Sequence, residues 1–295
     1  MAAPQRLQQQ QGQQWRQRVR LAAGRGGGPD RDSDSDSEDF FMTQEGNSID
    51  EAYYEEEAMS MEEDDDSMRL YLDSANVQEW AKWAETGVFF GFTTNPTILK
   101  RDGVPCNIAS MRHLAREAFQ LEVEELQLQA WGTTAAEMYS CGMDLMDVDT
   151  RIVVKLPITL EGAKAAKRLV ADGVPVTMTG IYASHQVVTS LAMGAAYAAP
   201  YVGRMSDAGK NGIEETIRMQ EIVDLGSGSD PLQPMRLLVA SIRSADEIAT
   251  LAAKGCNTFT IAPYVAEQLF NVELTNQAAE LFQEHADDMG AMRGH

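Results

Sequence analysis

Short β-rich runs alternate with helical patterns from Met68 onward, and this alternation constrains the fold more than any other feature of the chain. Eight such runs can be counted, at 69–72, 89–93, 126–130, 152–156, 175–179, 197–202, 236–241 and 258–262. The segments between them carry the composition and end signals of helices. Eight strand–helix units in about 230 residues predict an α/β fold, a (β/α)8 TIM barrel.

Several helices can be located from their ends and periodicity. The stretch 160–171 is rich in alanine and basic residues, as an exposed helix would be. Ser244 followed by Glu247 has the spacing of a capping box, and Gly255 suits the position just after a helix end. The pattern over 272–289 predicts an extra C-terminal helix after the eighth unit.

The first 67 residues differ sharply from the rest in composition. They contain 17 acidic and 6 basic side chains, and no acid precedes Asp30. Low hydrophobicity and like charge over 30–67 predict a disordered extension, 1–67, before a barrel at 68–295. The basic start is similar to an organelle transit peptide, although no serine precedes Ser33. We therefore expect a soluble, cytoplasmic protein, with the plastid stroma after removal of a transit peptide as the alternative.

Charge and ligand-type residues narrow the function classes. A formal net charge of −21 argues against nucleic acid and anionic membranes as partners, so an anionic substrate needs a local basic site. No apolar run approaches the 18 residues of a membrane span. Three scattered cysteines suggest a reducing compartment, and the four histidines lack metal-ligand spacing.

Lys155 is the residue whose position most needs an explanation. It interrupts Ile152–Ile158, a β-branched run typical of strands covered on both faces. A desolvated ammonium has a lowered pKa, and the neutral amine can attack a carbonyl to form a Schiff base. The alternative is a lysine that ends its strand and extends its ammonium into water.

Polar side chains lie at or just after seven of the eight predicted strands. Active sites in such barrels form at the C-terminal ends of the strands, so these side chains are candidate site residues. Any one of them can instead be a turn or cap, as Asp73 with Ser74 could be for the next helix. The candidates, in chain order, are Asp73, Thr93, Asn95, Gln129, Lys155, Thr179, Tyr201, Arg204 and Ser241.

The order and spacing of these motifs resemble the transaldolase and fructose-6-phosphate aldolase family in its short microbial form. The resemblance covers residues 69 to about 285, and the Thr-Thr-Asn-Pro and Val-Lys-x-Pro motifs are its most specific parts. Segments carrying it are Leu70–Asp73, Gly91–Pro96, Ile152–Pro157, Ala199–Arg204 and Ala240–Ser241.

The resemblance implies a Schiff-base aldol mechanism on ketose phosphates without metal or organic cofactor. Lys155 would be the nucleophile and Asp73 the proton-transfer group. The motif containing Thr93 and Asn95 would hold the dihydroxyacetone unit. A phosphate site would be formed by Arg204 and Ser241. Family members of this size commonly form homo-oligomers, often decamers, through terminal helices.

Two positions distinguish the branches of the family. Transaldolases carry glutamate at the end of the third strand and phenylalanine on the sixth, where this chain has Gln129 and Tyr201. The resemblance therefore favours the aldolase branch, in which glutamine, Thr179 and the tyrosine hold the catalytic water. Gln127 lies two residues away on the same strand face, so a shift in register would still supply a glutamine.

There are three alternatives to this aldolase. They are a transaldolase of the pentose phosphate pathway, a barrel lyase that works through a dihydroxyacetone-like enamine on another sugar, and a non-catalytic barrel that recruits partners through its acidic tail.

Overall fold

A computed structural model describes residues 67–226 and 235–291 of the chain. The expected strands form one eight-stranded parallel sheet in the order β7-β6-β5-β4-β3-β2-β1-β8. A bridge between Val239 and Phe259 links its two ends, so the sheet is a nearly closed barrel. The predicted (β/α)8 TIM barrel is thereby confirmed. The strands are β1 Arg69–Asp73, β2 Phe89–Thr93, β3 Glu125–Gln129, β4 Ile152–Pro157, β5 Val176–Ile181, β6 Tyr197–Pro200, β7 Arg236–Leu237 and β8 Thr258–Ile261.

Eleven helices accompany the strands in the described part of the chain. The helix expected at 160–171 has those bounds, and the C-terminal helix covers Glu273–Asp288. They are α1 Val77–Ala84, α2 Pro96–Arg101, α3 Ile108–Gln120, α4 Ala135–Met146, α5 Leu160–Ala171, α6 Ser184–Ala192, α7 Val202–Asp207, α8 Gly212–Gly226, α9 Ala245–Ala252, α10 Pro263–Phe270 and α11 Glu273–Asp288.

Two strands are shorter than their β-rich runs by two residues or more. β6 ends at Pro200 because Val202 already begins α7. β7 is regular only over Arg236–Leu237, and its pairing continues as single bridges at Val239 and Ala240. A β-rich composition predicts extended backbone, whereas continuous pairing also depends on the neighbouring strand.

Helix caps explain where the helices begin. Ser244 Oγ accepts from the backbone N–H of Glu247 at 3.3 Å, as predicted. The Glu247 carboxylate accepts from the N–H of Arg243 instead of that of Ser244, so only half of the predicted capping box forms. Gly255 has a φ of 93°, which favours glycine after α9. α1 is capped by Asn76 rather than by Asp73 or Ser74, so Asp73 is available for chemistry.

The outward faces of the strands and the inward faces of the helices form the core. Leu126, Leu128 and Val154 are fully buried under helices, and each such side chain stabilises the fold by about 1.5–3 kcal/mol. Trp80 of α1 stacks on Phe92 with ring centroids 4.7 Å apart. This packing leaves the alternate, inward-facing strand positions to build the barrel interior.

Inward side chains lie in layers of four, contributed by alternate strands. The strand registers, followed around the tilted barrel, give the third, fourth and fifth layers from the N-terminal end of the strands. The third is Tyr71, Gln127, Thr177 and Leu238; the fourth is Thr93, Lys155, Ala199 and Thr260; the fifth is Asp73, Gln129, Thr179 and Ala240.

Some predictions concern residues outside the described ranges. All of the predicted disordered extension 1–67 except Ser67, including its transit-peptide-like start, lies outside the described residues, and so does His295. Within 67–226 and 235–291, no helix is both long and apolar enough to cross a membrane.

Candidate active site

Lys155 lies inside the barrel, not at a solvent-exposed strand end. It projects inward from β4 and is 2% exposed. Burial lowers the pKa of its ammonium, and the charge of Asp73 opposes that shift. The Lys155 ammonium therefore does not extend into bulk water. At a given pH, a larger fraction of this amine is neutral than in an exposed lysine.

Asp73 lies one layer above Lys155, at the end of β1. Its Oδ1 accepts a hydrogen bond from Thr93 Oγ1 at 2.8 Å. Burial raises the pKa of Asp73, while the charge of Lys155 and the Thr93 bond oppose the rise. The Thr93 hydroxyl also bonds to that of Thr260. Thr93 thus acts on the carboxylate of Asp73 and does not line the cavity.

A second hydrogen-bonded pair stands above the lysine on the β5–β6 side. The Thr179 and Tyr201 hydroxyls are 3.0 Å apart, and Tyr201 lines the cavity. Burial raises the pKa of Tyr201, so its phenol is protonated at neutral pH. A protonated phenol beside a hydroxyl can hold a water molecule by hydrogen bonds and act through it as a general acid.

The two glutamines of β3 occupy different layers. Gln129 is the register partner of Lys155 and lies in the layer of Asp73 and Thr179, although it does not line the cavity. Gln127 lies below Lys155, where its side chain is bonded to Glu125 and Thr177. The geometry thus assigns Gln129, and not Gln127, to the upper layer.

Above these groups lies a cavity of about 200 Å³. Among the predicted residues it is lined by Asp73, Asn95, Lys155, Tyr201, Arg204 and Ser241. The side-chain oxygen Oδ1 of Asn95 caps α2 by accepting from the N–H groups of Thr97 and Ile98, at 2.9 and 3.1 Å. Its NH₂ group is therefore the part of the side chain that can donate to a ligand.

Ser241 adopts an uncommon backbone conformation at the cavity wall. Its φ is 61°, a left-handed value that costs a non-glycine residue about 1–3 kcal/mol. The first turn of α7 holds it, because the N–H of Gly203 donates to the Ser241 carbonyl oxygen at 3.0 Å. A side chain at Gly203 would clash, since its Cβ would lie 2.4 Å from that oxygen.

Two further arginines line the cavity and were not among the predicted site residues. Arg243 donates to Asp207 at 2.8 Å, and Arg101 forms a two-point pair with Asp102 at 2.6 and 2.9 Å. The sequence could have indicated Arg243, because it lies only two residues after Ser241. Arg101 ends α2, which the Thr-Thr-Asn-Pro motif begins, and nothing in its local sequence indicated the cavity.

A buried lysine with a lowered pKa, a carboxylate above it and an arginine-lined cavity at the C-terminal ends of the strands define a (β/α)8-barrel enzyme of the class I aldolase type. Comparison with known proteins agrees. Residues 70–293 match the model of the family described as Transaldolase/Fructose-6-phosphate aldolase, to which this chain belongs.

Relatives cover most of the barrel. A probable transaldolase of Thermus thermophilus is 33% identical over 228 residues, 74% of this chain and 97% of that protein. One of Symbiobacterium thermophilum is 32% identical over 215 residues, 73% and 95% of the two chains. One of Geobacillus kaustophilus is 30% identical over 215 residues, 73% and 96%. The family thus accounts for the barrel, and these alignments leave about a quarter of this chain unmatched.

Proposed function

We propose that this enzyme acts on a ketose phosphate through a Schiff base on Lys155 and releases a dihydroxyacetone unit, as a fructose-6-phosphate aldolase does. The observation that carries the proposal is the buried Lys155 beneath Asp73, in one cavity with Arg204 and Ser241. An amine with a lowered pKa is a nucleophile, and a guanidinium with a hydroxyl suits a phosphate dianion.

The reaction follows from these groups. The neutral amine of Lys155 attacks the ketone carbon C2, and loss of water gives an iminium ion. That ion withdraws the electrons of the C3–C4 bond while Asp73 takes the proton of the C4 hydroxyl. The phosphorylated aldehyde leaves, and the three-carbon unit remains on Lys155 as an enamine. Protonation of the enamine and hydrolysis then release dihydroxyacetone and free the lysine.

The phosphate end of the substrate would lie on the β6–β7 side. Arg204 and Ser241 are the proposed ligands, and Arg243 is a third candidate because it lines the same cavity. Arg204 also lies over the ring of Tyr201, with 5.4 Å from guanidinium carbon to ring centroid. This contact restricts the guanidinium, so less entropy is lost when an anion binds.

The fate of the enamine separates the two candidate activities. Gln129, Thr179 and Tyr201 would hold the water that protonates and hydrolyses it, which supports the aldolase. Transfer to an acceptor aldehyde is the second candidate, and the names of the relatives, probable transaldolases, favour it.

Product analysis of the full chain with fructose 6-phosphate, with and without erythrose 4-phosphate, decides between them. We expect glyceraldehyde 3-phosphate and dihydroxyacetone without an acceptor, and borohydride should trap substrate on Lys155. Turnover that strictly requires erythrose 4-phosphate would make the enzyme a transaldolase. Full activity in Lys155→Met would contradict the Schiff-base mechanism. A wild type that is neither trapped by borohydride nor forms product would favour the non-catalytic barrel.

We also propose that the enzyme is a homo-oligomer assembled through α11. No side chain of that helix is buried within the described chain, and one face of it is apolar. The face consists of Leu274, Ala278, Leu281 and Phe282, and the exposed Met289 follows directly after the helix. The proposed compartment is the cytoplasm, or the plastid stroma after processing.

A further inference from the structure

A half-buried carboxylate lies below Lys155, on the side away from the cavity. Glu125 accepts hydrogen bonds from Gln127 Nε2 at 2.8 Å and from the hydroxyls of Tyr71 and Tyr197 at 3.0 Å each. Arg69 donates to Tyr197 at 3.1 Å. Burial raises the pKa of Glu125, and the Gln127, tyrosine and Arg69 contacts oppose the rise. None of these five residues lines the cavity or takes part in the proposed reaction.

The hydrogen bonds from Glu125 toward Lys155 have a defined direction. A carboxylate only accepts, so Gln127 turns its NH₂ group to Glu125 and its carbonyl oxygen to Thr177. Thr177 Oγ1 donates to that oxygen at 2.8 Å. The Thr177 proton is therefore committed to Gln127, and its oxygen offers only lone pairs to other neighbours. Gln127 and Thr177 are both fully buried.

The upper end of this chain of bonds reaches the strand neighbour of Lys155. Thr177 is the register partner of Lys155 between β4 and β5. The layer that contains Gln127 and Thr177 lies directly beneath the layer that contains Lys155. Burying polar groups there is costly unless they are hydrogen-bonded, and a fully bonded network holds one arrangement. The side chains in the layer beneath Lys155 therefore have little freedom to rearrange.

We propose that Glu125, Gln127 and Thr177 form a positioning chain that holds the amine of Lys155 in line for attack on the substrate carbonyl. The inference rests on the proposed role of Lys155 as the nucleophile. The three residues act through Lys155 and do not contact the reacting atoms. Loss of the chain should slow Schiff-base formation more than it weakens substrate binding, because Arg204 and Ser241 lie in a different part of the barrel.

Substitutions at Thr177 and Gln127 in the full chain test this. Thr177→Val keeps the side-chain shape and removes the hydroxyl. We expect the rate of borohydride-trapped Schiff-base formation, and kcat with it, to fall about tenfold or more, with KM for fructose 6-phosphate close to the wild-type value. Thr177→Ser should restore most of the rate. Gln127→Met should lower the rate of Schiff-base formation as much as Thr177→Val does. The double variant should be little slower than either single variant, because both changes break the same chain of hydrogen bonds.

Thr216→Val is the matched control. Thr216 is fully buried in α8, where its hydroxyl donates to the Gly212 carbonyl oxygen at 2.8 Å, and it does not line the cavity. We expect wild-type trapping from it. Wild-type trapping in Thr177→Val, failure of serine to restore the rate, or an equal loss in Thr216→Val would each overturn the positioning chain. An untrapped wild type would instead overturn the proposed function.

Discussion

At the scale of single residues, the chemistry depends on two opposing effects on Lys155. Burial lowers the pKa of its ammonium, and the carboxylate of Asp73 raises it. Removing the carboxylate leaves burial unopposed, so the pKa of Lys155 falls further. In Asp73→Asn we expect the rise of Schiff-base trapping with pH to begin at lower pH than in the wild type. We also expect kcat to fall by about 10²–10⁴, because the proton acceptor is lost.

Thr93→Val is the control for this prediction. It removes the 2.8 Å hydrogen bond to Asp73 and keeps the charge. Because the carboxylate remains, the pH dependence of trapping should be closer to that of the wild type than in Asp73→Asn. The kcat should still fall, because the Asp73 carboxylate is no longer held in its orientation. An Asp73→Asn profile that coincides with the wild type would show that Asp73 does not act on the lysine.

At the scale of elements, the first turn of α7 shapes the proposed phosphate site. In Gly203→Ala the new methyl group would lie 2.4 Å from the Ser241 carbonyl oxygen and 2.5 Å from Arg243 Nε. We expect a loss of about 1–3 kcal/mol in the free energy of unfolding. KM for fructose 6-phosphate should rise, because the phosphate ligands move, while borohydride trapping with unphosphorylated dihydroxyacetone should change little.

Ser206→Ala serves as the control for α7. Ser206 Oγ donates to the Val202 carbonyl oxygen at 3.2 Å within the same helix and does not line the cavity. The Ser206→Ala variant should have the wild-type KM for fructose 6-phosphate. An equal rise in KM for phosphorylated and unphosphorylated substrates in Gly203→Ala would argue against a phosphate site at this turn.

At the scale of the whole molecule, the apolar face of α11 supports the proposed assembly. Phe282 is 70% exposed, and Leu274 is 76% exposed. Removing such side chains from water is worth about 1.5–3 kcal/mol each, and a homo-oligomer would bury them. We expect Phe282→Glu to shift the mass measured by sedimentation toward the monomer. Gln283→Glu adds the same charge on the opposite face and should leave the mass unchanged; a wild type that sediments as a monomer would contradict the proposal.

Local patterns were sufficient to predict the barrel and its central residue. Eight β-rich runs, the bounds of α5 and the placement of Lys155 in a buried strand follow from composition and period, which act over a few residues. The polar strand ends could also be predicted, because all parallel strands of a barrel present their C-terminal ends to one face.

Which of these side chains meet depends on how the strands are arranged in the barrel. Gln129 and Gln127 are equivalent in the sequence, and the register and tilt of the barrel place one above Lys155 and the other below it. The arginines Arg101 and Arg243 enter the cavity from connections on different sides of the barrel. The hydrogen bonds of Glu125 join three strands that are distant in sequence. Such contacts depend on strand order and stagger, which no local period encodes.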